Sequence, residues 1–339
     1  MVPIYDKGHA KVQPHEQPPM NAPILRLASR GSPLALAQAH LVRAALADAH
    51  GWDEEELDEL CPITTFRTTG DRIQDRPLVE AGGKGLFVKE IEEALLGEDA
   101  DIAVHSMKDM PAVQPTGLSI AAVLPREDPH DIFIARDGTP FDKLPENARL
   151  GTSSVRRQAQ ALRLRPDLKI VSLRGNVETR LLKLARGEAD AIMLARAGVS
   201  RLRLALPDSE ILESEEWLPA LCQGAIGIEI RNDDLATHEI VAAIDDARTH
   251  LAVACERGFL AALDGSCRTP IAGLAQVESG RLRFRGEVLT LDGRNSWTAA
   301  RELACGDSMG EYARAQAFAA GEDAAREIRA AAGDKLPRF

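Results

Sequence analysis

Five cysteines in 339 residues, with no C-x-x-C pair among them, exclude a disulfide framework and a cysteine-rich zinc site. Cys61, Cys222, Cys255, Cys267 and Cys305 read as reduced thiols, each a small buried hydrophobe unless its surroundings say otherwise. No apolar run approaches the ~20 residues a bilayer crossing needs, so no membrane partner is expected. Residues 1–23 hold five prolines but no arginine and no apolar h-region, which argues against a secretory or transit peptide. They read as a disordered extension on a cytoplasmic protein. A net charge of −11 argues against general nucleic-acid binding.

That overall charge hides a local reversal. Residues 149–187 carry ten Lys/Arg against two acids, Asp167 and Glu178. A confined anionic ligand or a solvated basic helix face would each account for it, and counting charges does not decide between them.

Short apolar runs alternate with helical patterns through most of the chain. "ILRLA" (24–28), "CPITTFRTT" (61–69), "DIAVH" (101–105), "LSIAAVL" (118–124), "DIFIAR" (131–136), "KIVSL" (169–173) and "DAIMLA" (190–195) read as strands. Between them lie helices such as "SPLALAQAHLVRAALADAHG", with Ser32 at the N-cap, and "KGLFVKEIEEALLGE" over 84–98. The alternation predicts α/β layers with largely parallel strands. From about Thr249 the texture changes: one helix, three runs patterned as an antiparallel meander, and a terminal helix near 309–332 predict a separate small α+β domain.

Four junctions share one design, in which a strand ends, a basic or hydroxyl residue follows and a helix begins. They are Arg30-Gly31-Ser32-Pro33, Gly83-Lys84-Gly85, Thr152-Ser153-Ser154-Val155-Arg156-Arg157 and Arg174-Gly175-Asn176. Helix N-termini already carry partial positive charge and free N–H donors, so each added cation should cost about 0.3–1 kcal/mol unless an anion absorbs it. With an anion bound, donors, dipole and guanidinium act together. In open α/β sheets that ligand position lies beyond the carboxyl ends of the strands. The G-x-x-x-x-G-K-[ST] and G-x-G-x-x-G phosphate motifs are absent. Arginine pairs as well with carboxylates, so a small polycarboxylate is a candidate ligand.

Asp109, in "DIAVHSMKDMP", is the exception in this cationic set. It either caps the turn before Pro111 or faces a cation or N–H donor at a reacting centre. Cys267, in "LDGSCRTP", sits in a polar glycine-containing stretch beside Arg268, a setting that exposes and activates a thiol. A nucleophile, a covalent attachment point and a chance loop cysteine all remain open for it.

Together, "ASRGSPLALAQA", "GGKGLFVKEIE", "DIAVHSMKDMP", "REDPHD", "GTSSVRRQAQ", "SLRGNVETRL", "QGAIGIE" and "DGSCRTPIAG" resemble the porphobilinogen deaminase (hydroxymethylbilane synthase) family, from about Leu25 to the C-terminal helix. The resemblance implies two lobes like those of periplasmic anion-binding proteins and a small C-terminal α+β domain. Its boundaries would be residues 24–125 with 224–246, residues 126–223, and residues 247–339. It implies a monomer that joins four porphobilinogen units head to tail on a dipyrromethane primer held by Cys267 through a thioether. Asp109 would be the catalytic carboxylate. Arg30, Ser32, Lys84, Ser106, Lys108, Thr152, Ser153, Ser154, Arg156, Arg157, Arg174 and Arg180 would bind cofactor and substrate carboxylates, with no metal. Two positions depart from the pattern. Glu80 stands where many members have Lys, and Cys222 replaces a usual Gly.

Overall fold

The computed structural model describes residues 23–72, 85, 87–264, 269–306 and 309–336. Three sheets organise them. The first runs in the order β2 (Ile63–Phe66), β1 (Leu27–Arg30), β3 (Ile102–Ser106), β10 (Ile226–Arg231) and β4 (Leu118–Val123). The second runs β7 (Lys169–Val171), β6 (Arg149–Gly151), β8 (Ala191–Ala195), β5 (Asp131–Ala135) and β9 (Glu210–Leu212). The third is an antiparallel meander of β11 (Ile271–Glu278), β12 (Arg281–Leu289) and β13 (Ser296–Ala304).

The two five-stranded sheets share one plan. β1 is parallel to β2 and β3, and β6 to β7 and β8. The fourth strand of each, β10 or β5, runs antiparallel to both its neighbours. Four of the five described strands in each sheet therefore run one way, as the expectation of largely parallel strands has it, and one is reversed. The reason is connectivity: β5 and β10 are the strands by which the chain enters one sheet on leaving the other, and each enters from the opposite end.

Strands covered on both faces read as continuous apolar runs, and β3 and β5 are buried almost throughout. Helices then start where a side chain can satisfy their free N–H groups. Ser32 accepts from the Ala35 amide at 3.3 Å before helix Pro33–His50, which Gly51 ends in the left-handed conformation, φ +67°. Ser154 caps helix Val155–Leu164, and Asn176 caps helix Val177–Ala185. Each such cap is worth about 1 kcal/mol. Helix Lys89–Leu96 is shorter than the expected 84–98 and begins without a side-chain cap. Phe87, within that expected span, instead lies in the preceding turn with the Arg30 guanidinium 4.4 Å above its ring.

The third sheet packs on helices Ala247–Ala262 and Glu311–Ala332. A Cβ on Gly321 would stand 1.9 Å from the Cys255 carbonyl, so glycine is what lets these two helix backbones meet. From the first of those helices comes Glu256, fully buried, which ties this unit to both crossings between the large sheets. It accepts from Arg126 at 2.6 and 3.2 Å, from the Ala275 amide at 2.7 Å and from the Cys222 amide.

Candidate active-site cleft

A cavity of about 1650 Å³ opens along the carboxyl ends of the parallel strands of both large sheets. Pockets for single small ligands span roughly 300–1,000 Å³, so this space admits something larger. Among the described residues, nine Lys/Arg and four Asp/Glu line it.

Asp109 ends a short 3-10 turn, Met107–Asp109, directly after β3. The turn is fixed from below. Met107 is buried, its amide donates to the Ala225 carbonyl at 3.1 Å, and a Cβ on Gly227 would sit 2.1 Å from its sulfur. His105 Nε2 lies 3.0 Å from Glu229 Oε2 within the sheet. With Met107 and His105 held inward, Ser106, Lys108 and Asp109 project into the cleft. Among the described residues Asp109 has no hydrogen-bond or ion-pair partner. Lys108 Nζ donates to Gln223 Oε1 at 3.3 Å. Burial brings the Lys108 ammonium down to about 8; Asp109 and Asp131 oppose this, while Arg157 and Arg156 add to it.

The second sheet contributes the basic wall. Arg156 and Arg157 do occupy the first turn of helix Val155–Leu164, but the chain supplies their anion itself. Arg156 Nη2 donates to Asp131 Oδ2 at 2.8 Å and Arg157 Nη2 to Asp131 Oδ1 at 2.7 Å. Arg156 Nη1 also reaches the Leu218 carbonyl and Gln160, and Arg157 Nη1 the Met193 carbonyl. The expectation that this pair needs an external anion is therefore corrected. Of their nitrogens, the Nε atoms are buried without a partner among the described residues. Burial pushes the Asp131 carboxyl up, but the two guanidinium charges and their hydrogen bonds hold it well below the usual carboxylate range.

The remaining expected groups converge on the same space. Arg30 pairs with Asp71, and Ser32 caps its helix. Thr152 Oγ1 accepts from the Ser154 amide at 3.1 Å, and Ser153 Oγ donates to the Leu173 carbonyl at 3.1 Å. Arg174 lines the cleft, and Arg180 Nε donates to the Gly175 carbonyl at 2.8 Å. Burial lowers Arg180 to about 10, with Arg157 and Arg174 adding to the fall and Asp109 opposing it. Lys84, Glu80 and Cys267 lie outside the described residues. Asp264 and Thr269, which flank 265–268, both line the cleft. Among the described residues, no cluster of His, Cys, Asp and Glu could hold a metal ion.

Three residues escaped the sequence reading. Asp131 opens an apolar strand, where an acid reads as a strand boundary. Gln223 opens the stretch "QGAIGIE" but carries no charge to mark it as a site residue. Arg201, whose Nη2 donates to the Gly224 carbonyl at 2.6 Å, ends the short helix after β8, one more strand-to-helix junction that could have been counted. Burial lowers Arg201 to about 10. Cys222 is buried in the left-handed backbone region, φ +60°, which explains why glycine is usual there. Burial and Glu256 push its thiol up, so it is a poor second nucleophile.

Residues 25–239 match the family model described as "Porphobilinogen deaminase, dipyromethane cofactor binding domain", and residues 250–330 match "Porphobilinogen deaminase, C-terminal domain". The porphobilinogen deaminase of Nitrobacter winogradskyi is 52% identical over 310 residues, covering 91% of this chain and 94% of that protein. That of Paracoccus denitrificans is 50% identical over 305 residues, covering 90% and 93%. Among solved structures, the periplasmic VFT2 domain of Bordetella pertussis BvgS aligns at a TM-score of 0.37 and 16% identity, covering 65% of this chain and 86% of that one.

Proposed function

We propose that this chain, which belongs to the porphobilinogen deaminase family, uses Asp109 to steady the cation formed as each porphobilinogen unit loses ammonia. As a member of that family it deaminates porphobilinogen and joins four units stepwise, releasing hydroxymethylbilane for tetrapyrrole biosynthesis. A dipyrromethane, when bound, supplies the pyrrole α-carbon to which the first unit is joined. The cleft suits such a group: it is long, predominantly cationic and rich in hydroxyls and capped helix ends, as chains of acetate- and propionate-bearing pyrroles require. By motif position Cys267 would hold it as a thioether. Arg30, Ser32, Lys84, Ser106, Lys108, Thr152, Ser153, Ser154, Arg156, Arg157, Arg174 and Arg180 would meet its carboxylates and those of the substrate.

The protein's part in each step is electrostatic and positional. Arginines and hydroxyls from both sheets orient the carboxylate arms. As the aminomethyl C–N bond breaks and ammonia departs, positive charge spreads over the pyrrole and its N–H group becomes a stronger donor. Asp109 is the acceptor and the counter-charge. A carbon–carbon bond then forms, the displaced α-proton leaves, and water finally releases the tetrapyrrole. A preorganised charge aimed at charge that develops is usually the largest single contribution to catalysis.

The observation that carries this reading is a carboxylate that has no partner among the described residues, in a cleft where nine of those residues are cations. The same reading divides the chain into residues 24–125 with 224–246, residues 126–223 and residues 247–339, in a monomeric cytoplasmic enzyme. No helix among the described residues is long and apolar enough to cross a membrane. In Asp109→Ala, hydroxymethylbilane production should fall by about 10²–10³ or more while the fold survives. Near-normal turnover in a folded variant would remove Asp109 from the mechanism.

A further inference from the structure

Asp131 is saturated. Its Oδ1 accepts from Arg157 at 2.7 Å and Gln223 Nε2 at 2.9 Å; its Oδ2 accepts from Arg156 at 2.8 Å and Trp217 Nε1 at 2.9 Å. A carboxylate offers about four acceptor positions, and here all four are taken in a fully buried site. Nothing is left with which to bind a ligand, so its role must lie in what it holds.

It holds parts of both lobes. Gln223, on the return crossing to the first sheet, spends its Nε2 on Asp131 and on the Pro129 carbonyl at 2.7 Å. Both of those partners are acceptors, which fixes the amide and turns its Oε1 toward the Lys108 ammonium. A continuous hydrogen-bonded path thus runs from Arg156 and Arg157 through Asp131 and Gln223 to Lys108, the neighbour of Asp109.

We propose that Asp131 is a positioning residue for the reaction, fixing the Arg156–Arg157 wall directly and Lys108 beside Asp109 through Gln223. This rests on the assignment of the cleft and of Asp109 made above. A carboxylate that only stabilised the second sheet would have no reason to be joined, through a buried amide, to an ammonium on the first.

The charged and polar groups facing Lys108 are Asp109 on its own turn, Arg156 and Arg157 from the helix, Asp131 from β5 and Gln223 from the crossing. Burial and the arginines disfavour the protonated amine; Asp109, Asp131 and the Gln223 carbonyl favour it. Weakening the Asp131 or the Gln223 contact should make Lys108 lose its proton at lower pH.

The test is the pH profile of kcat/KM for porphobilinogen, with intact mass to follow primer loading, in Asp131→Asn and Gln223→Met. In Asp131→Asn the alkaline limb should move down by about half a pH unit or more, KM should rise several-fold, and part of the protein should lack the primer mass. In Gln223→Met the limb should move the same way, with primer loading intact because the arginine pairs remain. If Asp131→Asn does not fold, Gln223→Met decides alone: a downward limb supports the proposal, and a wild-type profile overturns it. Wild-type profiles and KM in both folded variants also overturn it. An inactive Asp109→Ala beside wild-type-like Asp131→Asn and Gln223→Met would sink this inference only. An active Asp109→Ala would sink the reading beneath it.

Discussion

The backbone N–H of Cys222 donates to the fully buried carboxylate of Glu256, which also holds the Arg126 guanidinium. One side chain of the third unit thereby fastens both chain crossings between the two large sheets. Removing it would strand the partly buried Arg126 without its counter-ion. Glu256→Ala should lose about 3–5 kcal/mol in urea denaturation. A loss below about 1 kcal/mol would show that this node is solvated or replaceable.

Cys222 has φ +60°, a backbone region that costs a residue with a Cβ about 1–2 kcal/mol. Cys222→Ala keeps that cost and gives up the buried sulfur, whereas Cys222→Gly relieves it. Glycine should therefore be tolerated better than alanine, the reverse of the usual order, as judged by the two melting temperatures. Alanine matching or exceeding glycine would contradict the strain argument.

Glu92 is buried on helix Lys89–Leu96, and its Oε1 has no partner among the described residues. Burial raises its carboxyl to about 7, Glu229 and Glu93 adding to the rise and His105 opposing it. The unfolded chain releases this proton near pH ~4.3. Between there and pH ~7 the folded state holds more protons, so stability falls as pH rises through that window, and the penalty is complete above it. The shift corresponds to about 4 kcal/mol. Glu92→Gln should gain up to about that much at pH 8 and almost nothing at pH 4. Equal gains in urea denaturation at both pH values would refute the assignment.

Cys267→Ser should lack the mass of a covalently held dipyrromethane, which the wild-type protein should carry above its sequence mass. Cys222, Cys255 and Cys61 are buried thiols that burial pushes up, so none should take the primer in its place. Recovery of the primer on Cys222 would show that the wrong thiol was assigned.

What the sequence made legible was local. Ser32, Ser154 and Asn176 stand at helix starts because capping chemistry acts over three residues. Asp109 stood out because a carboxylate was the wrong sign for its surroundings. The three-stranded meander followed from strand and turn patterns within about fifty residues. Long-range pairings were not legible. Asp131 meets Arg156 and Arg157 across 25 and 26 positions and Gln223 across 92. No periodicity marks such partners, so the sequence does not show that the arginine pair already has an internal anion. The reversed strands β5 and β10 were hidden for the same reason, since an apolar run shows burial and not direction.

Asp109 against the cationic wall is the centre of the mechanism, and stepwise mass spectrometry addresses it most directly. Incubated with a few equivalents of porphobilinogen, the wild-type protein should show a ladder of masses, each one deaminated unit above the last. Asp109→Asn, folded and carrying the primer, should remain at the primer mass alone. A ladder in that variant, climbing at the wild-type rate, would contradict the account.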